Sequence, residues 1–395
     1  MLWTAANRWC LRFFNGSHTN KIDPKKGVTL QVVFVSETPR VREAKLAYGL
    51  RHAGWRVTLL YRNEPNFDVA RYFDDVKRYG DPWEALSLAA HRQARVYHVF
   101  SLAADETSVA FIRYKPGKVV FDTNDIFEGM IRDPQAAHLV PKQRYCIERA
   151  DGICCRDLQI RHASRLLGYR RGRRLFFPEY CWDSANGAGA PARRERNGLH
   201  AVLCGNFGIE KLGDTDWGYL DIAEKLAGQE IHFHIYPHWF WHSVSGSQFE
   251  ETFADYSALA RRSPFVHLHR PVSMDSVIPE LSQYDVGMNL VRALTYGVRP
   301  KKYTAAHYRS CGSARIFDYI DAGLPVVTNR GLTFQHSLLA RHGLAIDATP
   351  EMLDQAGERL KRFLSGSVKQ KLREARSQYS VRRNIGRLIE FYQSM

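Results

Sequence analysis

The run 315–328 pairs a cation with a carboxylate just before a turn and a short apolar segment. Arg315 and Asp318 lie three residues apart in a helical pattern that ends at Gly323, and residues at this spacing share one side of a helix. A ligand that carries a diphosphate and a ribose needs both groups, a positive charge for the phosphates and an acceptor for the ribose hydroxyls. An ordinary helix–strand unit of a parallel sheet has the same pattern, so the spacing alone does not decide between the two interpretations.

The composition indicates a globular protein with anionic partners. The chain has 395 residues, of which 45% are apolar and 25% charged, and its formal charge is +15. That length accommodates two domains. The positive charge favours nucleotides or an anionic membrane surface. No nucleic acid partner is expected, because no nucleic-acid-binding motif accompanies the basic residues. The alternative is that the basic residues form a solvated surface without a specific partner.

Several features of the sequence favour a cytoplasmic location. No apolar run approaches the roughly 20 residues of a membrane span, and the first residues lack the pattern of a signal peptide. The seven cysteines form no C-x-x-C pair, and an odd number in apolar stretches is typical of reduced packing residues. Aromatic and basic side chains between Trp3 and Phe14 could contact the inner face of the membrane. The alternative is a packed or disordered tail that does not contact the membrane.

Apolar strand patterns alternate with helical patterns twice along the chain, from residue 30 to 177 and again from 201 to 328. This alternation predicts an α/β fold with parallel, doubly wound sheets. We therefore expect two Rossmann-like αβα domains that face a cleft, where ligands of such sheets bind. The predicted parts are an N-terminal tail (1–28), a first domain on the acceptor side (29–183), a Gly-, Ala- and Arg-rich linker (184–198), a second, nucleotide-binding domain (199–378) and a C-terminal helix (379–395) that crosses back to the first domain.

The order of these segments resembles the GT-B glycosyltransferases, most closely those of glycosyltransferase family 4. Residues 315–327 (RIFDYIDAGLPVV) are similar to the family's donor motif Lys-x-x-Glu-Tyr-x-x-x-Gly-x-Pro-Val. Residues 201–211 (AVLCGNFGIEK) resemble the strand and loop that open the family's second domain. Residues 148–155 (ERADGICC) resemble the strand before the linker, and 121–125 (FDTND) an Asp-x-His-Asp element. The resemblance covers nearly all of the chain from about residue 29.

The resemblance implies a transferase that moves a sugar from a nucleotide-diphospho-sugar to a glycan or lipid-linked acceptor, with retention. It implies a role in the biosynthesis of a surface polysaccharide or glycoconjugate, without a cofactor or a catalytic metal. A nucleotide-sugar epimerase of the same shape is the first alternative. A degenerate, non-catalytic sugar-binding partner is the second.

The resemblance also assigns the donor site to the second domain. Asp318 is expected to accept hydrogen bonds from the ribose, while Arg315 and Lys211 face the diphosphate, and these three are the predicted catalytic residues. Backbone N–H groups just before the helix suit phosphate oxygens as well. The predicted donor site is completed by Gly205, Asn206, Gly312, Ser313 and Ala314.

Polar residues near strand ends of the first domain are candidates for contacts with the acceptor. They are Glu37, Arg40, His98, Asp122, Asn124 and Asp125. A core histidine whose hydrogen bonds are made within the protein is an equal alternative for His98. For residues 122–125 the alternative is a turn that is capped by side-chain hydrogen bonds.

Two positions depart from the family pattern, and two pairs of histidines raise the question of a metal site. Ser310 and Asn206 stand where the family often has a glutamate and an arginine. The pairs 232/234 and 267/269 each place two imidazoles on one strand face. A zinc site needs a third ligand that the spacing does not specify, so no metal site is predicted.

Overall fold

The computed structural model describes residues 30–102, 104–169, 172–182, 197–209, 211, 213, 215–238, 240–241 and 244–395. The predicted tail (1–28) and most of the predicted linker (184–196) lie outside the described residues. The positions of the domain boundaries therefore stay predictions.

The first half of the chain forms a seven-stranded parallel sheet with the order β3-β2-β1-β4-β5-β6-β7. Its central strands are apolar runs buried on both faces, as expected when helices cover both sides of a parallel sheet. The strands are β1 (Gln31–Ser36), β2 (Arg56–Tyr61), β3 (Asp75–Arg78), β4 (Val96–Ser101), β5 (Lys118–Thr123), β6 (Gly152–Cys155) and β7 (Arg173–Phe176). The helices are α1 (Val41–His52), α2 (Pro82–Ala90), α3 (Glu106–Tyr114), α4 (Val140–Arg149) and α5 (Gln159–Leu166).

The second half forms a six-stranded parallel sheet with the order β10-β9-β8-β11-β12-β13. Its strands are β8 (Leu199–Gly205), β9 (Ile231–Pro237), β10 (Val266–Leu268), β11 (Val286–Asn289), β12 (Val326–Thr328) and β13 (Ala345–Asp347). Its helices are α6 (Leu220–Ala227), α7 (Gly246–Thr252), α8 (Ala254–Arg262), α9 (Met274–Leu281), α10 (Arg292–Thr295), α11 (Ala305–Ser310), α12 (Ala314–Asp321) and α13 (Thr333–Ala340). The chain ends in α14 (Pro350–Asp354), α15 (Ala356–Leu364), α16 (Val368–Gln378) and α17 (Val381–Gln393).

The last helix crosses back to the first half, as the sequence predicts. The Tyr392 hydroxyl lies 2.5 Å from Nδ1 of His98 on β4. The Phe391 ring covers Gly152 so closely that a Cβ there would lie 2.6 Å from its Cζ. Both halves of the chain are therefore tied together by α17 as well as by the connection between the sheets.

Two elements differ from the sequence prediction. β3 was not predicted, because this edge strand is polar and only partly buried. The segment 292–309 is rich in basic residues, and it contains the short helices α10 and α11. Among the described residues, no helix has the length and apolar character that crossing a membrane requires.

The strand orders show where a ligand would bind. Strand order reverses between β1 and β4 in the first sheet and between β8 and β11 in the second. Ligands of open parallel sheets lie at the carboxyl ends of the strands next to such a reversal. A ligand is therefore expected at the loops that follow Ser36 and Gly205.

Candidate functional site

Helix α12 is held against the second sheet by the buried side chain of Tyr319. Its hydroxyl accepts a hydrogen bond from the Cys204 amide at 3.1 Å and lies 3.0 Å from the Met288 carbonyl. Below the ring, Gly287 leaves the space that the packing requires, since a Cβ there would lie 2.5 Å from the ring carbon Cγ. This anchor fixes the position of Arg315 and Asp318 on the same helix.

Arg315 reaches the carboxyl end of β8. Its Nη2 donates a hydrogen bond to the Asn206 carbonyl. Gly205 has a φ of +105°, and a Cβ there would lie 3.2 Å from the same nitrogen. Nη1 is buried and makes no hydrogen bond within the described part of the chain. The structure thus brings the predicted residues Gly205, Asn206 and Arg315 together.

His238, just past the end of β9, marks where the two halves meet. Burial, together with the smaller effects of the positive charges of Arg40 and Arg315, lowers its pKa to about 4. Arg40 precedes α1 in the first half, whereas Arg315 belongs to the second half. The positive charges of one arginine from each half of the chain therefore act on the same imidazole.

A third arginine extends this positive region. Arg156, which follows β6, donates a hydrogen bond from Nε to the Asn124 carbonyl at 2.9 Å and lies 3.5 Å from Asp125. Its positive charge also acts on Arg40, whose pKa is lowered by burial first and by Arg156 in addition, while Glu43 and Asp125 oppose that shift. We call Arg40, Arg156 and Arg315 the cleft arginines. The structure thus places Asn124 and Asp125, both predicted on the acceptor side, beside one of them.

The loop before α12 is in contact with the first half of the chain. The Gly312 amide donates to Oδ2 of Asp157 at 2.9 Å, and the Ser310 carbonyl accepts from the Leu158 amide at 3.0 Å. Burial raises the pKa of Asp157 to about 6. The Ser310 hydroxyl donates to the Ala306 carbonyl within its own helix. Ser310 therefore does not present a side chain where the family often has a glutamate.

The start of α12 itself carries no side-chain cap. Ser313 is the N-cap residue and makes no capping hydrogen bond with its side chain. Ala314 follows as the first helical residue. The positive end of the helix dipole therefore lies next to Arg315 at this point.

Asp318 faces the junction between the halves and is paired there. Its Oδ1 lies 3.0 Å from the Lys45 ammonium of α1, and its side chain is 16% exposed. Burial lowers the pKa of Lys45, but Asp318 and further carboxylates outweigh burial and raise that pKa above its ordinary value. One turn later, Asp321 accepts a hydrogen bond from the Trp182 amide at 2.8 Å. Burial raises the pKa of Asp321 to about 7.

Lys211 and Glu37 lie in more exposed surroundings. The Lys211 ammonium contacts the Glu251 carbonyl at 3.3 Å, and its side chain is 48% exposed. Glu37, in the loop after β1, lies 3.5 Å from Arg62. Burial and the nearby charge of Asp105 raise the pKa of Glu37.

His98 and Asp122, also expected on the acceptor side, lie in the core. Both are at most 1% exposed, and Asp122 is bound by Arg42 at 2.8 Å. Asp122 belongs to β5, and His98 lies within β4 beneath Tyr392. Tyr392 therefore covers His98, and Arg42 covers Asp122. Of the two interpretations of His98, the structure supports the core histidine.

The same cluster contains a group of potential metal ligands. His98, Asp122 and Cys154 place their donor atoms within 4.8 Å of one another, the one such group in the described residues. Arg42 already occupies it, with Nε 2.9 Å from Asp122 and Nη2 3.5 Å from the Cys154 sulfur. A guanidinium in this position makes the group an ion-pair cluster.

Known structures share this architecture. The chain is similar to the HepE protein of Anabaena in complex with UDP and glucose, with a TM-score of 0.64 and 10% identity over 93% of this chain and 100% of that one. A glycosyltransferase from Rickettsia africae matches with a TM-score of 0.60 and 11% identity over 93% and 99%. The chain has the GT-B fold.

A further match concerns another reaction. The chain is also similar to a putative UDP-N-acetylglucosamine 2-epimerase from Listeria monocytogenes, with a TM-score of 0.54 and 11% identity over 92% of this chain and 95% of that one. No protein-family model and no curated protein matches the sequence.

The sequence interpretation missed several residues of this site. Arg156 and His238 follow β6 and β9 directly, so the rule that ligands bind at the carboxyl ends of parallel strands identifies both once the strands are known. Asp157 and Lys45 carry no comparable signal. Their importance depends on contacts with the other half of the chain, which no local pattern reports.

Proposed function

We propose that the chain is a glycosyltransferase that transfers a sugar from a nucleotide-diphospho-sugar. The observation that carries this proposal is the position of Arg315, which reaches from the start of α12 to the Asn206 carbonyl at the carboxyl end of β8, beside the reversal of strand order. Arginines in a partly buried cleft favour a ligand with several negative charges. A diphosphate has that charge, and the HepE structure of the same fold contains UDP.

In this proposal the donor lies across the carboxyl end of β8. Arg315 and the start of α12 bind the diphosphate, and Gly205 and Asn206 leave room for it. Asp318 keeps Oδ1 on Lys45 and offers Oδ2 to the ribose hydroxyls. Because Lys45 comes from α1, ribose binding is coupled to contact between the two halves.

The chemistry needs charge stabilisation more than a protein base. When the bond between the sugar and the diphosphate breaks, negative charge develops on the leaving phosphate, and preorganised cations stabilise it. Arg315, Arg40 and Arg156 supply that charge. Lys211 becomes a fourth cation if it leaves Glu251, a change that costs little because exposed ion pairs contribute about 0–1 kcal/mol. For a retaining transfer the departing phosphate takes the acceptor proton.

The acceptor belongs to the first half of the chain in this proposal. Glu37, Asn124 and Asp125 lie in loops that follow β1 and β5, next to the cleft arginines. A glycan or a lipid-linked acceptor fits a positively charged protein at an anionic inner membrane surface. We propose a cytoplasmic enzyme of surface polysaccharide or glycoconjugate synthesis that acts next to the membrane.

Binding of nucleoside diphosphates to purified protein tests the donor site. Titration calorimetry with UDP, GDP and ADP should identify one that binds, and Arg315→Ala should weaken its binding by about 10–100-fold, the effect of a lost hydrogen bond to a charged group. Arg309→Ala is the matched control, because Arg309 is an exposed arginine on the neighbouring helix α11. The proposal is wrong if none of the three binds, or if both variants bind equally well.

The epimerase is a second candidate because a structure of that class has the same fold. It yields an altered free nucleotide-sugar and needs no acceptor. Incubating the protein with a bound nucleotide-sugar, with and without an acceptor extract, separates the two reactions by their products. A protein that binds nucleotide but converts nothing would be the non-catalytic partner that Ser310 and Asn206 suggest.

A further inference from the structure

A buried chain of hydrogen bonds joins the loop before α12 to the loop after β5. The Gly312 amide, in the second half, donates to Oδ2 of Asp157 at 2.9 Å. The same oxygen accepts a hydrogen bond from Nε2 of Gln159 at 2.9 Å, and Nε2 also donates to Oδ1 of Asp125 at 2.9 Å. Three hydrogen bonds therefore connect the donor side of the proposed cleft with its acceptor side.

The Gln159 side chain has one orientation in this chain of bonds. Its Oε1 accepts from the Ile126 amide at 3.0 Å, and a backbone N–H only donates, so this atom is the carbonyl oxygen and the other is the amide nitrogen. That nitrogen has two N–H groups, and Asp157 and Asp125 accept one each. Gln159 is 1% exposed. A rotation of its amide would therefore break the bonds to all three partners where water does not replace them.

Asp157 and Gly312 are themselves held in close contact. Oδ1 of Asp157 accepts from the Gln159 amide at 2.9 Å, which fixes the carboxylate at the start of α5. A Cβ at Gly312 would lie 3.2 Å from the Asp157 Cβ, so glycine permits this approach. The Leu158 amide adds a bond to the Ser310 carbonyl at 3.0 Å. The two halves are therefore joined here by backbone and side-chain bonds alike.

The ends of the chain lie where the ligands of the proposed function bind. Gly312 is followed by Ser313, the N-cap residue of α12, and the start of α12 binds the diphosphate in that proposal. Asp125 is 31% exposed and lies 3.5 Å from Arg156, whereas Asp157 is 4% exposed. A buried polar network in which each member has its partners is rigid. A displacement of the exposed end is therefore transmitted to the loop before α12.

We propose that Asp157 and Gln159 are positioning residues, which couple the donor site at the start of α12 to the acceptor site at Asp125. An acceptor that moves Asp125 changes the affinity for the donor, and the donor changes the affinity for the acceptor by the same factor. The identity of the two ligands rests on the proposed function. The coupling between the loops is a property of the protein without ligands, and it is measured there first.

Hydrogen–deuterium exchange of the Gly312 amide in the unliganded protein tests the coupling. Asp157→Ala removes the acceptor, so exchange at Gly312 should become about 10–100-fold faster, the effect of a lost hydrogen bond to a charged group. Asp125→Ala removes the far end of the chain and should speed the same exchange by about threefold or more. In a Gln159→Met background, where the connection is missing, Asp125→Ala should change it by less than about twofold, as expected for residues that share no partner.

Asp81→Ala is the matched control. Asp81 likewise accepts from amides at the start of a helix of the first half, those of Trp83 and Glu84, and both of these bonds stay within the first half. It should leave exchange at Gly312 unchanged.

Thermal unfolding checks that each variant is folded. If Gln159→Met does not fold, Gln159→Glu replaces it, because a charged glutamate keeps the oxygen that faces Ile126 and has no N–H for the two carboxylates. The coupling is overturned if Asp157→Ala and Asp81→Ala give the same exchange at Gly312. It is also overturned if Asp125→Ala has the same effect with and without the Gln159 substitution.

Nucleotide binding gives a separate result. A nucleoside diphosphate that binds should slow exchange at the Phe127 amide, which is bonded to Gln143 near Asp125, more in the unmodified protein than in Gln159→Met. Equal protection in both would contradict a transmission of donor binding to the acceptor site. A protein that binds none of UDP, GDP and ADP contradicts the proposed function, whereas the exchange of the unliganded variants still decides on the coupling.

Discussion

Arg40 and Arg42 lie two residues apart at the start of α1, yet they belong to opposite environments. Arg42 is 4% exposed and is surrounded by Asp122 at 2.8 Å, Glu179 at 3.7 Å and the Phe177 carbonyl at 2.9 Å. Arg40 instead approaches Arg156 and His238, and burial lowers its pKa. Arg42 is in direct contact with carboxylates, whereas Arg40 makes no ion pair with a described residue, and burial and Arg156 lower its pKa against the weaker effect of Glu43, Asp125 and Asp105. The first arrangement stabilises a core, and the second attracts an anion.

The largest effect is expected from the buried cluster. Arg42→Met removes the cation and leaves Asp122 charged and buried, so the free energy of unfolding should fall by about 3–5 kcal/mol. Denaturant unfolding followed by circular dichroism measures this. The double variant Arg42→Met, Asp122→Leu should lose less than the single one, because an apolar replacement of a whole buried pair is often tolerated. A loss below about 1 kcal/mol for Arg42→Met would mean that the cluster is open to water.

The difference between the two arginines also shows what the sequence could not predict. The alternation of strands and helices identified both sheets, because apolar runs and glycine breaks are local features. Asp122 was predicted at a strand end, but β5 continues to Thr123. Asp122 is therefore a core residue within the strand, whereas Asp125, beyond the strand, reaches Arg156.

The partners of Asp318 illustrate a second limit. A cation and a carboxylate three residues apart on a helix were expected to face one ligand together. In the structure Arg315 contacts Asn206 at the end of β8, while Asp318 pairs with Lys45, which is 273 positions away in the sequence. A contact at that separation depends on how the two halves are placed. No pattern within α12 reports it.

The next expected effect is on the proton affinity of His238. Its pKa of about 4 lies below the ordinary value of about 6.5, so the folded protein keeps it neutral in that range while the unfolded chain binds a proton. The contribution of this group to stability therefore falls as the pH drops through the same range. A diphosphate between Arg40 and Arg315 should raise the pKa of His238 by about one unit or more.

Nuclear magnetic resonance titration of the His238 ring protons, with and without the bound nucleoside diphosphate, measures that shift. Arg40→Met alone should raise the pKa of His238 but leave it below the ordinary value, because burial is the larger cause. The Arg42→Met variant, measured at a pH where it stays folded, should leave the pKa of His238 unchanged. An unchanged pKa with saturating nucleotide would place the diphosphate elsewhere.

The smallest effect is expected from Asp125, a carboxylate that partly compensates the charge of Arg156. Asp125 lies 3.5 Å from Arg156 and is 31% exposed. Burial raises its pKa, but Arg156 and His307 outweigh burial and hold that pKa below its ordinary value, so it is charged at neutral pH. Asp125→Asn keeps the shape and removes the charge. The affinity for the diphosphate should then rise by about threefold to tenfold, the effect of a unit charge several ångströms away in a partly solvated site.

Calorimetry at low and high salt distinguishes this electrostatic effect from a lost contact, because added salt screens charges in exposed surroundings. A gain in affinity that shrinks with salt supports a diphosphate beside Arg156. A loss of affinity at both salt concentrations would instead mean that Asp125 contacts the nucleotide itself. In that case Asp125 would act like the carboxylates around Arg42, which stabilise their surroundings through direct contacts.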